Sequence, residues 1–154
     1  MYPFSFGWLN VLGLLFAALL LTPNLLWLAY HKRHHMNNVQ QVRPVGPRRQ
    51  LMETLESIGR AGCLLFLVVF PGRGFSTADA LVAVLFCGAA LIALYWITWA
   101  LWAKQQLVWQ GFLLCVLPVL LFLLFGFALQ NAPLLFFAAL FGVAHLYMSG
   151  FYIR

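Results

Sequence analysis

Five polar residues stand apart in a chain made mostly of leucine, phenylalanine and alanine: Asn24, Glu56, Arg60, Tyr95 and His145. A charged side chain deep in a bilayer costs roughly 2.5 kcal/mol or more, so such residues are retained where they hold a ligand, a proton or one another. The Asn24 amide needs hydrogen-bond partners near the cytoplasmic side. Glu56 and Arg60 stand at i and i+4 in LMETLESIGRAGCLLFLVVF (51–70), and the spacing predicts an ion pair between them. Glu53 lies on the same stripe, nearer the surface, and is expected to be solvated. If successive helices alternate in direction, all five residues fall at comparable depth. They predict a pocket for a small polar ligand or a lipid headgroup. The competing expectation is that they only fasten helices together through hydrogen bonds worth about 1 kcal/mol each.

The elements that position these groups follow from composition. Of 154 residues, 64% are hydrophobic and 8% charged, whereas about 25% are charged in a soluble domain. The chain is therefore expected to be all-α, a single polytopic membrane helix bundle. Apolar runs at about 7–30, 51–70, 80–102, 108–129 and 132–152 predict five transmembrane helices. The net charge is +6, yet Lys32, Arg33, Arg43, Arg48 and Arg49 all lie in residues 31–50. By the positive-inside rule that loop and the C-terminus are cytoplasmic and the N-terminus is outside. A basic loop between apolar helices predicts contact with anionic lipid headgroups, not with nucleic acid. No lysine or arginine precedes the first run, which argues against a cleaved signal peptide.

Local signals refine this plan. Pro23 and Pro118 lie inside helices and predict kinks, Pro23 by leaving the carbonyl of Leu19 without its usual donor. Pro44, Gly46 and Pro47 mark residues 31–50 as a loop. Ser76 or Thr77 can cap the third helix, with Asp79 in its first turn, and Asn131 with Pro133 resembles a helix start. Tyr95, Trp99 and Trp102 share one face; Tyr95 is the deepest, so its hydroxyl is expected to point into the bundle. Phe141, His145, Met148, Ser149 and Tyr152 share another face. Cys63, Cys87 and Cys115 are widely spaced inside apolar segments, without a C-x-x-C pair. They predict small buried apolar residues, with no metal site and no cofactor. No repeat of fixed period and no inverted pair of broken helices points to a transporter.

Three resemblances accompany these features. His31, His34 and His35 spell H-x-x-H-H, similar to one histidine box of membrane-bound desaturases and hydroxylases; that family uses about eight histidines on two irons, and this chain has four. T-P-N at Thr22–Asn24, E-S-I-G-R-A-G-C at Glu56–Cys63, Y-W-x-x-W at Tyr95–Trp99 and F-x-x-x-H at Phe141–His145 together resemble a group of small bacterial multi-pass membrane proteins of uncharacterised function. That likeness implies a bacterial inner-membrane protein and supplies no activity; a membrane protein partner is a separate expectation, that of a structural or accessory subunit. E-x-x-x-R at Glu56–Arg60 and F-x-x-x-H at Phe141–His145 are also similar to motifs of glutamate-type intramembrane proteases related to the CAAX processing enzymes. This third likeness implies a hydrolase in which Glu56 and His145 activate water. The chain departs from it at Leu55, where the family has a second glutamate, and has no counterpart of the family's second histidine motif.

Overall fold

The structure, a computed structural model, describes residues 5–6, 9–34, 46–70, 72–75 and 77–152. Residues 35–45 of the basic loop, the side chains of the H-x-x-H-H motif, Ser76 and Arg154 lie outside the described residues. A short antiparallel pair, β1 (Ser5–Phe6) and β2 (Leu9–Asn10), pairs Ser5 with Asn10 and Phe6 with Leu9. Five helices follow among the described residues: α1 (Val11–His34), α2 (Pro47–Val68), α3 (Ala78–Gln105), α4 (Val108–Ala128) and α5 (Ala132–Tyr152). Four of them contain segments long and apolar enough to cross a membrane: Val11–Ala29, Ala78–Gln105, Val108–Ala128 and Ala132–Ser149. α2 is the exception, because its charged residues lie within the segment.

Several boundaries differ from those expected. The first helix starts at Val11 and not near Gly7, because Asn10 caps it: the Asn10 Oδ1 accepts from the Gly13 N–H at 3.1 Å. It also runs on through Lys32 and Arg33 to His34, since lysine and arginine are good helix formers. Residues 47–50, expected as loop, open α2: Gly46 is extended at the N-cap and Pro47 takes the first helical position, where a missing N–H costs nothing. Thr77 caps α3 by accepting from the Ala80 N–H at 3.1 Å. Asn131 caps α5 by accepting from the Leu134 N–H at 3.0 Å.

The helices close into a ring in the order α1, α3, α4, α5, α2, and back to α1, with α2 against α5 the broadest contact. α1, α3 and α5 run one way, and α2 and α4 the other. Gly59 and Gly62 set the α2–α5 approach. A Cβ on Gly59 would lie 2.7 Å from the Phe141 nitrogen and 2.8 Å from its Cα, and one on Gly62 would overlap the Phe137 ring. Small residues at an interface let two backbones meet in this way within a bilayer. The tightest core, with Phe122, Phe125, Leu67 and Leu134 almost wholly buried, fills the ring from its middle toward the C-terminal end of α2.

Candidate functional site

Polar groups gather at both ends of this core. At the C-terminal end of α2, two asparagines with 0% exposure each cap one helix and fasten it to a second. Asn10 donates from Nδ2 to the Leu67 carbonyl at 3.0 Å. Asn131 donates to the carbonyls of Phe66 at 3.0 Å and Phe70 at 2.6 Å. The C-terminal carbonyls of a helix lack intrahelical donors, and these amides supply them.

Toward the N-terminal end of α2 the ring is not filled. A cavity of about 550 Å³ is lined from all five helices, with Asn24, Arg60, Tyr95 and His145 among its walls. Four of the five residues singled out by type and spacing therefore face one space. Glu56, the fifth, is one hydrogen bond away: its Oε1 lies 3.0 Å from Nδ1 of His145. The ring of His145 is stacked on Phe141, centroids 4.7 Å apart, which fixes its plane.

The expected ion pair between Glu56 and Arg60 does not form. Glu56 lies one turn before Gly59, on the face pressed against α5, so its carboxylate meets His145 on the neighbouring helix. Arg60 is one residue, or about 100°, round from Gly59 and turns to the cavity. Among the described residues no hydrogen bond or ion pair engages it. Glu53, at the helix entrance, pairs instead with Arg49 at 2.9 Å in a largely exposed i,i+4 contact, of the kind worth a few tenths of a kcal/mol.

Tyr95 is 3% exposed, and its hydroxyl oxygen accepts from Asn24 Nδ2 at 3.1 Å and from Trp99 Nε1 at 3.0 Å. Both lone pairs are thus used, which leaves the phenolic proton as a donor at the cavity wall. Asn24 keeps its amide oxygen without a partner among the described residues. With Nδ1 of His145 held by a carboxylate acceptor, Nε2 is the nitrogen left for a ligand. Trp102 meets Trp27 and Trp99 edge to face beside this group, and Trp27 lies tilted against Trp99, with centroids 5.3–5.6 Å apart. The site therefore offers a guanidinium and a phenol as donors, an imidazole nitrogen and an amide oxygen, against an otherwise apolar wall of Leu20, Leu64, Phe122 and Phe141.

Three features escaped the sequence. The Leu19 carbonyl freed by Pro23 finds a donor across the helix gap, Trp96 Nε1 at 3.0 Å. The cysteines are not alike: Cys63 is buried, Cys87 is exposed and Cys115 is half-buried at the cavity wall. The expectation of three buried cysteines therefore holds for Cys63 alone, because Cys87 falls on the outer face of α3 and Cys115 shares with Pro118 and Phe122 the inner face of α4. Gly59 and Gly62, finally, decide which side chain Glu56 meets, and their G-x-x-G spacing was the available signal. No three His, Cys, Asp or Glu side chains among the described residues are grouped so as to hold a metal ion. Comparison of the chain with protein-family models, with curated proteins and with solved structures gives no match. The fold and site define a helical chain with four apolar helices of membrane-spanning length, of the multi-pass membrane class, around a part-polar cavity.

Proposed function

We propose that this chain is a five-span inner-membrane protein of bacterial type that binds a small anionic amphiphile, a lipid headgroup or a polar metabolite with an apolar portion, in the cavity between its helices. α2 serves as the fifth span. Its 22 residues give about 33 Å at 1.5 Å per residue, against a hydrocarbon core of about 30 Å. Its membrane-depth carboxylate is covered by α5, while Arg48, Arg49 and Lys104 cluster at one end of the ring. That end is cytoplasmic by the positive-inside rule, with the N-terminus outside, the C-terminus inside and the basic segment 31–50 against anionic headgroups.

The observation that carries the binding function is Arg60: a cation about 20 Å along α2 from Pro47 by helical rise, facing a cavity, with its nearest acid committed to His145. Arg60 is exposed at the cavity and holds no ion pair or hydrogen bond among the described residues, so its guanidinium is open to an external anion. The cavity volume lies within the about 300–1,000 Å³ usual for small-molecule sites. The alternative of a glutamate–histidine hydrolase needs a water held between Glu56 and His145, and the direct contact at 3.0 Å favours an orienting role for Glu56 instead.

Native mass spectrometry of the detergent-solubilised protein tests this. An anionic amphiphile should remain bound, with affinity reduced about 10- to 100-fold in Arg60→Ala, as expected for one charge-assisted hydrogen-bonding group. A protein that carries no such ligand, or carries it equally well without Arg60, is a structural or accessory subunit and not a binder.

A further inference from the structure

Binding leaves one cavity group unused, the thiol of Cys115. It lies on α4 one turn before Pro118 and lines the cavity together with Arg60 and His145. Its sulfur shares that wall with the His145 ring and is joined to the same turn of α5 through Ser149. Glu56 holds Nδ1 of that ring at 3.0 Å, so the ring has one nitrogen fixed and one free. Ser149, one turn beyond His145, places its hydroxyl oxygen 2.7 Å from the Cys115 sulfur and 2.7 Å from the His145 carbonyl oxygen. A serine hydroxyl has one proton for these two acceptors, so it can turn from the carbonyl to the sulfur when the sulfur becomes an anion. A nucleophile, an adjacent base and a third group that orients the base are the parts that covalent catalysis requires. Neither Cys63, sealed in the core, nor Cys87, on the outer face, has such company.

We propose that Cys115 is a nucleophile, with His145 as its base and Glu56 as the residue that positions His145, and that it accepts the acyl group of a long-chain ester or thioester bound in the cavity. This rests on the cavity being an amphiphile site, as argued above. His145 Nε2 takes the thiol proton as sulfur forms a bond to the acyl carbon, and the negative charge passes to the acyl oxygen, for which Arg60 is the cavity's cation. The bond from acyl carbon to the leaving oxygen or sulfur then breaks, and that atom leaves with the proton from Nε2. The result is an S-acyl thioester on Cys115. A second nucleophile, water or an acceptor hydroxyl or amine, later takes the acyl group, and its proton returns to the thiol by the same path.

The test uses the full chain in detergent or vesicles, with two donors: alkyne-tagged palmitoyl coenzyme A, and vesicles of phosphatidylglycerol carrying alkyne-tagged acyl chains. A non-cleavable ether analogue of each, followed by tryptophan quenching, reports binding alone. A hydroxylamine-labile adduct should map to Cys115 and not to the more exposed Cys87, and the arm in which it forms identifies the donor. Acylation should slow about 100-fold in His145→Asn, the lower range for removal of a general base. Glu56→Gln should slow it and displace its pH profile, with Glu56→Asp restoring part of the rate. Adducts on Cys87 but not Cys115, or a wild-type rate in His145→Asn, overturn the proposal. If His145→Asn does not fold, unchanged rates in both Glu56→Gln and Ser149→Ala overturn it equally. Binding of the ether analogues without any adduct removes the nucleophile and leaves the binding site standing; failure of binding as well removes both.

Discussion

The two ends of α2 use the same kinds of polar side chain to opposite effect. At its C-terminal end Asn10 and Asn131 are fully buried, and each directs its amide to backbone: oxygen to a helix N-terminus, nitrogen to the last carbonyls of α2. Every group is spent on the chain itself, and nothing remains for a ligand. Toward the N-terminal end, Asn24, Tyr95, Glu56 and His145 are spent mainly on one another's side chains. Their remaining capacity faces a cavity that also holds Arg60. The difference separates two roles that composition alone cannot: polar groups that satisfy backbone make a clasp, and polar groups that satisfy each other incompletely make a site.

The largest effect should come from breaking the clasp. Asn131→Leu removes the donor to two α2 carbonyls and the cap of α5 in a water-free environment, and should cost about 2–4 kcal/mol at roughly 1–3 kcal/mol per buried group left unsatisfied. Asn24→Leu, the matching change in the cavity, should cost under about 1 kcal/mol. Thermal melting in detergent reads both, while ligand retention per folded molecule should fall only in Asn24→Leu. Equal losses of stability at the two positions would erase the distinction.

Gly59→Ala should blur the two regions instead of separating them. The new methyl meets the Phe141 backbone at 2.7–2.8 Å, so α2 and α5 must part and the contact of Glu56 with His145 must lengthen. Overpacking of this kind costs about 1–3 kcal/mol, offset in part by the roughly 1 kcal/mol that alanine gains over glycine within a helix. Melting should drop modestly and ligand retention should drop with it. A variant that melts lower yet retains ligand fully would show that the helix approach does not set the site.

These contrasts also show how far the sequence could be followed. Helix number, and Asn131 and Thr77 as caps, were legible because capping and apolar length are local properties. Asn24, Glu56, Arg60, Tyr95 and His145 were legible as candidates because polar groups are conspicuous in apolar runs, and alternating helices bring them to one depth. The partner of Glu56 was not legible from i,i+4 spacing, since close approach at Gly59 brings His145 nearer than Arg60 and interhelical geometry outweighs a local preference. Asn10 was hidden within an apolar run that reads as helix from Gly7. Cys115 was hidden because cysteine is usually a packing residue, and only the rotation of α4 about its own axis puts the thiol at the cavity.

The smallest predicted effect probes the boundary between the two regions, where Trp96 Nε1 donates to the Leu19 carbonyl at 3.0 Å. That carbonyl lost its helical donor because Pro23 has no N–H. Trp96→Phe keeps an aromatic ring but removes the donor, and should cost about 0.6–1 kcal/mol, the range of interhelical hydrogen bonds in membranes. Pro23→Ala restores an N–H that can bond Leu19 within α1, so the indole becomes redundant. In the Pro23→Ala background Trp96→Phe should therefore cost close to nothing, and the double-mutant cycle should return a coupling about equal to the single-mutant cost. Closing the Leu19 bond within α1 would also shift Asn24, the residue after Pro23, relative to the Tyr95 hydroxyl, so ligand retention should weaken in Pro23→Ala but not in Trp96→Phe. A coupling near zero would mean that the indole contributes by packing alone, and that the Leu19 carbonyl does not depend on this bond.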